Sequence, residues 1–131
     1  MYCKAMLFGD EEIAAAILSA KTPKQAKLLG RKVKNFDQSI WETHRVDIME
    51  KVLMAKFGQN KKLREQIVSH KYATFVEVTA NDAVWGAGIS FKDYRAGKKW
   101  TGLNLLGKCL GRVRDLLVQE DELREAWDRR S

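Results

Sequence analysis

The chain is organised around the ten-residue stretch TANDAVWGAG, residues 79–88. It follows residues 72–78, in which the alternation of side chains is typical of a short β-strand. Gly86 and Gly88 lack a Cβ atom, so the backbone can turn sharply or approach a ligand closely there. Loops at the ends of strands carry functional groups more often than the elements that they join. The stretch therefore indicates either a functional loop or a plain turn with a buried Trp.

A second glycine-rich stretch, residues 100–107, opens the last helical pattern of the chain. The first turn of a helix has free N–H groups, which suit anions such as phosphate. This stretch therefore predicts a second group of ligand-binding residues.

Composition places the chain among ordinary globular proteins. It has 131 residues, 45% hydrophobic and 31% charged, with a formal net charge of +7. No apolar run reaches the ~18 residues of a membrane span, and no signal peptide pattern opens the chain. Cys3 and Cys109 are isolated and have no metal-ligand spacing, which favours free thiols in a reducing compartment. We expect a cytoplasmic protein that needs no metal and no cofactor, and whose charge favours anionic partners.

Helical patterns cover most of the chain. Capping residues and apolar periodicity predict helices over residues 1–8, 10–20, 22–29, 38–57 and 60–69, and a final helix that residues 100–107 open and whose apolar positions begin at Leu106. The polar residues 90–99 are predicted to form a mobile flap or a solvated loop, and the charged tail 120–131 to fray or cap the last helix. The basic run Arg31, Lys32 and Lys34 fits a solvated loop as well as a phosphate contact. The expected fold is mainly α with a small β element, as one compact domain over residues 1–131.

Several motifs, in this order, resemble the YbiA-like family, also called NADAR (NAD and ADP-ribose) domains. The resemblance covers nearly the whole chain, and the pair NDxxWG and NxxG is fairly specific. The matching residues are KAMLFGD at 4–10, LGR at 29–31, Trp41, AKF at 55–57 with Gln59, VE at 76–77, NDxxWG at 81–86, NxxG at 104–107 and VR at 113–114.

The resemblance implies a YbiA-like α+β fold and a small N-glycosidase. The substrates that it implies are small ribosylated molecules: phosphoribosyl-amine intermediates of riboflavin synthesis, or ADP-ribose attached to a base. Nucleic acid is expected only as an ADP-ribosylated substrate.

Breaking an N-glycosidic bond requires a carboxylate near the sugar, a proton donor near the base and a flat surface that holds the base. We expect Asp82 to be the sugar carboxylate, with Glu77 in reserve. Lys4 matches a lysine of the family's first helix, and partial burial would let it form a Schiff base with a ring-opened sugar. A surface lysine is the alternative.

The expected substrate-binding residues come from the same motifs. Trp85 and Trp41 would stack on the base or ribose, although Trp41 fits a core anchor equally well. The full set is Trp41, Trp85, Asn81, Gly86, Asn104 and Gly107.

One feature of the family is missing from this sequence. The family pattern has strands and a Glu, expected to be catalytic, just before the point where this chain starts, so the chain is N-terminally short. The alternative function is therefore a non-catalytic module that binds ADP-ribose or nucleotides. The absent strands would uncover residues 1–8 and favour homo-oligomers through this region. A basic nucleic-acid binder rests on charge alone and ranks last.

Overall fold

The computed structural model describes all residues, 1–131, as seven helices joined by loops. The chain divides into two compact units, residues 1–48 and residues 49–131. The single domain over residues 1–131 stays a prediction. The helices are α1 Tyr2–Leu7, α2 Glu11–Leu18, α3 Pro23–Gly30, α4 Gln38–Gln59, α5 Lys61–Ser69, α6 Phe91–Arg95 and α7 Leu105–Arg130.

Short polar side chains cap five of the seven helices, which is why most helix starts could be predicted from the sequence. Each cap accepts a hydrogen bond from a backbone N–H group in the first turn. Pro23 follows one of them at the first helical position, as expected. The capping residues are Asp10, Thr22, Asp37, Asn60 and Ser90.

The first unit packs α1, α2 and α3 around a small apolar core. Its buried side chains are short or β-branched, so the helices come close together. The core consists of Ala5, Ala14, Ile17 and Val33, with Phe8, Ile13, Ala26 and Leu29 packed against it.

Asp10 ties three segments of this unit together. Its Oδ1 accepts from the Ile13 N–H at 3.0 Å, and its Oδ2 accepts from the Lys34 N–H at 2.9 Å. Its own N–H donates to the Ala5 carbonyl at 2.9 Å. The Lys34 and Ile13 N–H groups hold the pKa of this carboxyl below its usual range. The cap at Asp10 was predictable, but its second bond, to Lys34, depends on the fold.

The second unit is built around α7, whose Cys109, Val113 and Leu117 are almost completely buried. Burial, and secondarily the charge of Glu50, raise the pKa of the Cys109 thiol. The same helix also carries Arg114, which is buried as well.

Arg114 closes the end of α5. Its Nη1 donates to the carbonyls of His70, at 3.0 Å, and Ala73, while its Nε contacts Asp115 at 3.0 Å. The guanidinium carbon also lies 5.2 Å from the centroid of the Phe75 ring. This structural role of Arg114 was not predicted from the sequence.

The expected β element at residues 72–78 is wrong. The structure is 64% helical and has no strand or sheet. The Glu77 carbonyl accepts from the Ala87 N–H at 2.9 Å, but the Ala87 carbonyl accepts from Gly102 at 3.0 Å rather than from residues 72–78. A strand pair needs bonds in both directions. The α+β class fails because the alternating side chains of this segment have no partner strand.

Two polar segments contain helical residues. Residues 90–99 contain α6, which Ser90 caps. Asp93 of this helix forms an ion pair with Lys98 at 3.0 Å. Residues 120–130 of the charged tail are helical, because α7 continues to Arg130. None of the helices combines the length and the apolar character that crossing a membrane requires.

Substitution of Gly107 tests the close packing at the start of α7. A Cβ atom at this position would overlap the Phe75 carbonyl oxygen, whereas at Gly111 the nearest atom lies 3.8 Å away. We expect Gly107→Ala to lower the free energy of unfolding by ~1–3 kcal/mol. Gly111→Ala, the matched control, should leave it unchanged or raise it by up to ~1 kcal/mol. Urea denaturation followed by circular dichroism measures both, and equal stability of the two variants would contradict this packing.

The lowered pKa of the Asp10 carboxyl makes the free energy of unfolding depend on pH. Because its pKa is lower in the folded chain, its contribution is present above the unfolded value near 4 and is lost as pH falls through the folded value. Urea midpoints between about pH 7 and about pH 3 should fall less for Asp10→Asn, which is less stable at neutral pH, than for the native chain. Glu12→Gln, an exposed carboxyl on the same helix, should behave like the native chain. An unchanged acid profile in Asp10→Asn would refute the role of Asp10.

Candidate functional site

The Asp82 carboxylate shapes the loop at residues 79–88. Its Oδ1 accepts from the N–H groups of Val84 and Trp85, both at 2.9 Å, which makes an Asx turn. Asp82 and Trp85 are both half-buried. The other carboxylate oxygen, Oδ2, has no hydrogen-bond partner within the chain, so one oxygen builds the loop and the other is unpaired.

The loop is joined to the start of α7 by five backbone hydrogen bonds of 2.7–3.1 Å. The carbonyls of residues 83–87 accept from the N–H groups of residues 102–106. Among these donors are Leu105 and Leu106, which belong to the first turn of α7. The N–H groups expected to suit a phosphate therefore donate to the chain itself.

Asn104 holds this arrangement together from the inside. Its side-chain Oδ1 accepts from the Glu77 N–H at 3.0 Å, and its Nδ2 donates to the Phe75 carbonyl at 2.9 Å. The residue is only 4% exposed and has a left-handed backbone with φ of 51°. Asn tolerates this conformation better than most residues do. The amide is thus used within the fold at both of its ends.

The two motif glycines allow backbone segments to approach each other. A Cβ at Gly86 would lie 2.7 Å from the Asp82 carbonyl oxygen, and one at Gly107 would lie 2.5 Å from the Asn104 amide nitrogen. The other two predicted residues of this unit are exposed: Glu77, whose side chain has no partner, and Asn81. Within the second unit, the structure bonds the Asn104 amide to the backbone N–H of Glu77, and Gly107 lies directly against this amide.

Lys4 lies in a partly buried aromatic site of the first unit. Its Nζ donates to the Gly30 carbonyl at 2.9 Å and lies 4.5 Å from the centroid of the Phe36 ring. The Trp41 ring centroid is 5.8 Å away. Burial, and then the charge of Arg31, lower the pKa of the Lys4 amine. A lysine in this setting loses its proton more readily than a surface lysine does.

The structure adds Phe36 and Arg31 to the residues around Lys4. Phe36 packs edge-on against Phe8 with ring centroids 5.2 Å apart and is 41% exposed. The sequence signal that could have found it is Asn35, directly before this ring, because Asn tolerates a left-handed backbone. In the structure, Asn35 has a positive φ of 59° and turns the chain there. The half-buried Trp41 and Phe36 together give Lys4 an aromatic surrounding.

A basic face lies beside Lys4 on α3. Residues 21–34 contain six Lys or Arg residues and no Asp or Glu, while the rest of the chain is nearly neutral, with 18 basic and 17 acidic residues. None of the six forms an ion pair within the chain. Lys24, Lys27 and Arg31 share one helix face and, with Leu28, line a cavity of about 240 Å³. We call these three residues the α3 basic face.

Other features of the structure contain none of the predicted site residues. A cavity of about 540 Å³ lies against α5 and α7, lined by residues that include Arg64, Val68, Asp121 and Arg124. No three His, Cys, Asp or Glu side chains lie close enough together to hold a metal ion.

Comparison with known proteins shows the family. The model of the NADAR domain matches residues 1–118. The chain belongs to the NADAR domain family. The resemblance that the motifs indicated is thus confirmed, and the Asp82 loop, Asn104 and Lys4 all lie within the matched NADAR residues.

Three relatives of this NADAR chain have curated names. The chain is 36% identical over 114 residues to the N-glycosidase R617 of Acanthamoeba polyphaga mimivirus, covering 86% of this chain and 67% of that protein. It is 34% identical over 128 residues to the protein irg-1 of Caenorhabditis elegans, covering 95% and 60%. It is 34% identical over 119 residues to the N-glycosidase YbiA of Escherichia coli strain K12, covering 91% and 69%. The matches span between 60% and 69% of the length of these relatives.

The hydrogen bonds of Asn104 can be tested without straining its backbone, because Asp also tolerates a positive φ. In Asn104→Asp, one oxygen still accepts from Glu77, but the other would face the Phe75 carbonyl oxygen, where Nδ2 now donates. We expect the free energy of unfolding to fall by ~1–3 kcal/mol. Asn81→Asp, an exposed residue of the same type, is the control. Thermal denaturation that is equal in both variants would contradict the role assigned to Asn104.

Proposed function

We propose that this NADAR domain hydrolyses the N-glycosidic bond of a small ribosylated substrate. Membership of the family over residues 1–118 carries this proposal, together with the names of two relatives that are N-glycosidases. These names favour hydrolysis over non-catalytic binding of ADP-ribose or nucleotides.

The α3 basic face supports a substrate that carries phosphate, either a phosphoribosyl-amine of the riboflavin-intermediate type or an ADP-ribosylated base. Lys24, Lys27 and Arg31 have no acidic partner, so a phosphate group would relieve their mutual repulsion. Arg31 directly follows Gly30, whose carbonyl accepts from the Lys4 amine at 2.9 Å. A ribose at Lys4 could therefore extend its phosphate groups towards this face.

The reaction breaks the bond between C1′ of the ribose and the nitrogen of the leaving base or amine. Water supplies the hydroxyl group that ends on C1′, and the leaving nitrogen takes the remaining proton. Positive charge develops on the sugar during bond cleavage, and a nearby carboxylate stabilises it. We assign this role to Asp82, whose Oδ2 is free, with Glu77 as the second candidate.

Lys4 offers a covalent route for a ring-opened substrate. Its neutral amine would add to the C1′ imine, both of its protons would pass to the leaving nitrogen, and the amine would depart as C1′ forms a new imine with Lys4. Water would then hydrolyse the new imine and regenerate Lys4. The lowered pKa of Lys4 raises the neutral fraction that this attack requires.

Trp41 lies near the Lys4 amine, and Trp85 follows the Asp82 turn, so both remain our candidates for stacking on the base or ribose. Asn81, Gly86, Asn104 and Gly107 are retained as candidate substrate-binding residues. For Asn104 and the two glycines, we propose that they act by holding the loop that carries Asp82.

The experiment measures release of the free amine or base from three probes by chromatography and mass spectrometry: a ribosyl-amine, its 5′-phosphate and an ADP-ribosylated base. We expect the native chain to cleave at least one phosphate-bearing probe. Asp82→Asn keeps an oxygen acceptor for Val84 and Trp85 but loses the charge, so turnover should fall by ~10²–10⁴ with unchanged thermal denaturation. Lys4→Arg keeps the charge and should abolish trapping of the sugar by borohydride.

Matched controls separate the parts of this proposal. Lys62→Arg, an exposed lysine on α5, should keep native turnover and trapping. Lys24→Gln with Lys27→Gln should raise KM for the phosphate-bearing probes but not for the ribosyl-amine. Failure of the native chain to cleave any probe would refute the hydrolase. Full activity in both Asp82→Asn and Lys4→Arg would refute these two roles and leave Glu77 as the carboxylate to test.

A further inference from the structure

An exposed stripe runs along the C-terminal part of α7. It consists of Leu116, Glu120, Leu123, Trp127 and Arg130, spaced alternately four and three residues apart, so they lie on one face of the helix. We call this face the α7 stripe. Leu123 and Trp127 are 64% and 71% exposed, which is unusual for two neighbouring large apolar side chains.

The neighbouring helix of the second unit does not cover the stripe. α5 meets α7 through the ion pair of Arg64 with Asp121, at 2.8 Å, and Lys71, just after α5, pairs with Glu122 at 2.9 Å. Asp121 and Glu122 point away from the face that carries Leu123 and Trp127, because each helical residue rotates by about 100°. The NADAR match ends at residue 118, so most of the stripe lies outside the matched residues.

The charges of the stripe select one partner. An acidic residue, Glu120, precedes the apolar pair, and a basic residue, Arg130, follows it. If two copies of α7 pair antiparallel about a two-fold axis beside Glu125, Leu123 faces Trp127 of the partner subunit. The same axis places Glu120 opposite Arg130 of the partner subunit. A parallel pair would instead place like charges together.

We propose that two copies of this chain associate through antiparallel α7 stripes. The contact is isologous, because each copy contributes the same surface. Arg64 also contacts Glu120, at 3.1 Å, but it holds Asp121 at 2.8 Å, so Glu120 can turn towards the second copy without leaving Arg64 unpaired. About three helical turns per copy make a small interface, so the expected dissociation constant is on the order of 10 μM.

Sedimentation equilibrium over a range of protein concentrations tests the association. The native chain should form a dimer, and Leu123→Ser with Trp127→Ser should weaken it at least tenfold. Leu18→Ser, a 70% exposed leucine on α2, is the matched control and should leave it unchanged. Met6→Ser tests whether the copies instead associate through residues 1–8.

Charge reversal tests the antiparallel register. Glu120→Arg and Arg130→Glu should each weaken self-association, because like charges then face each other. An equimolar mixture of these two variants should form a heterodimer, since both cross pairs become attractive. Partial unfolding of one variant cannot produce this heterodimer, and circular dichroism checks the fold of each.

Two results would overturn the proposal. One is a native chain that stays monomeric up to about 0.5 mM, well above the expected dissociation constant. The other is a dimer that Met6→Ser dissociates while the Leu123 and Trp127 substitutions do not.

Discussion

The second unit depends on the buried amide of Asn104. It donates to the carbonyl of Phe75 and accepts from the N–H of Glu77, two groups that have no strand to pair with. A buried peptide group without a partner would cost the fold roughly 1–3 kcal/mol. One side chain thus replaces the hydrogen bonds that a neighbouring strand would supply. The left-handed backbone at Asn104 and the absence of a side chain at Gly107 make this possible.

The family motif therefore serves the backbone. The Asp82 carboxylate accepts the hydrogen bonds that turn the loop. The absence of a side chain at Gly86 lets neighbouring carbonyl groups approach its backbone. Carbonyl groups of the loop accept hydrogen bonds from the first turn of α7. Such a loop is fixed by many hydrogen bonds, so the free oxygen of Asp82 and the ring of Trp85 are held in defined positions. Preorganisation of this kind is what electrostatic catalysis requires, because the groups need no rearrangement during the reaction.

In the first unit, Asp10 and Lys4 lie in different surroundings. Asp10 joins α1, α2 and the segment after α3 through three hydrogen bonds, and its charge is used within the fold. Lys4, on α1, is held by a carbonyl and two aromatic rings but has no acidic partner. The neighbouring Arg31 further disfavours its charged form. A lysine without a counter-ion in a partly buried site loses its proton more readily than a surface lysine does.

The sequence by itself determined six of the seven helices and the family. Caps such as Asp10, Thr22 and Asn60 act within one turn, so their effect can be predicted from neighbouring residues. The order of the motifs around Asp82 and Asn104 indicated the NADAR family, which the domain match confirmed. The sequence also showed the alternation of residues 72–78. Alternation indicates that side chains lie on two opposite faces of a segment, but not that a partner strand lies beside it.

The tertiary structure decided what those residues contact. Residues 72–78 are not a strand, because the carbonyl of Ala87 that could pair with them is bound to Gly102. Asn104 is buried and bonded at both ends of its amide, and the first N–H groups of α7 are occupied, which no local pattern reveals. Lys4 meets Phe36 and Gly30, residues far from it in the sequence. Such contacts join residues that are distant in the sequence, so patterns among neighbouring residues do not predict them.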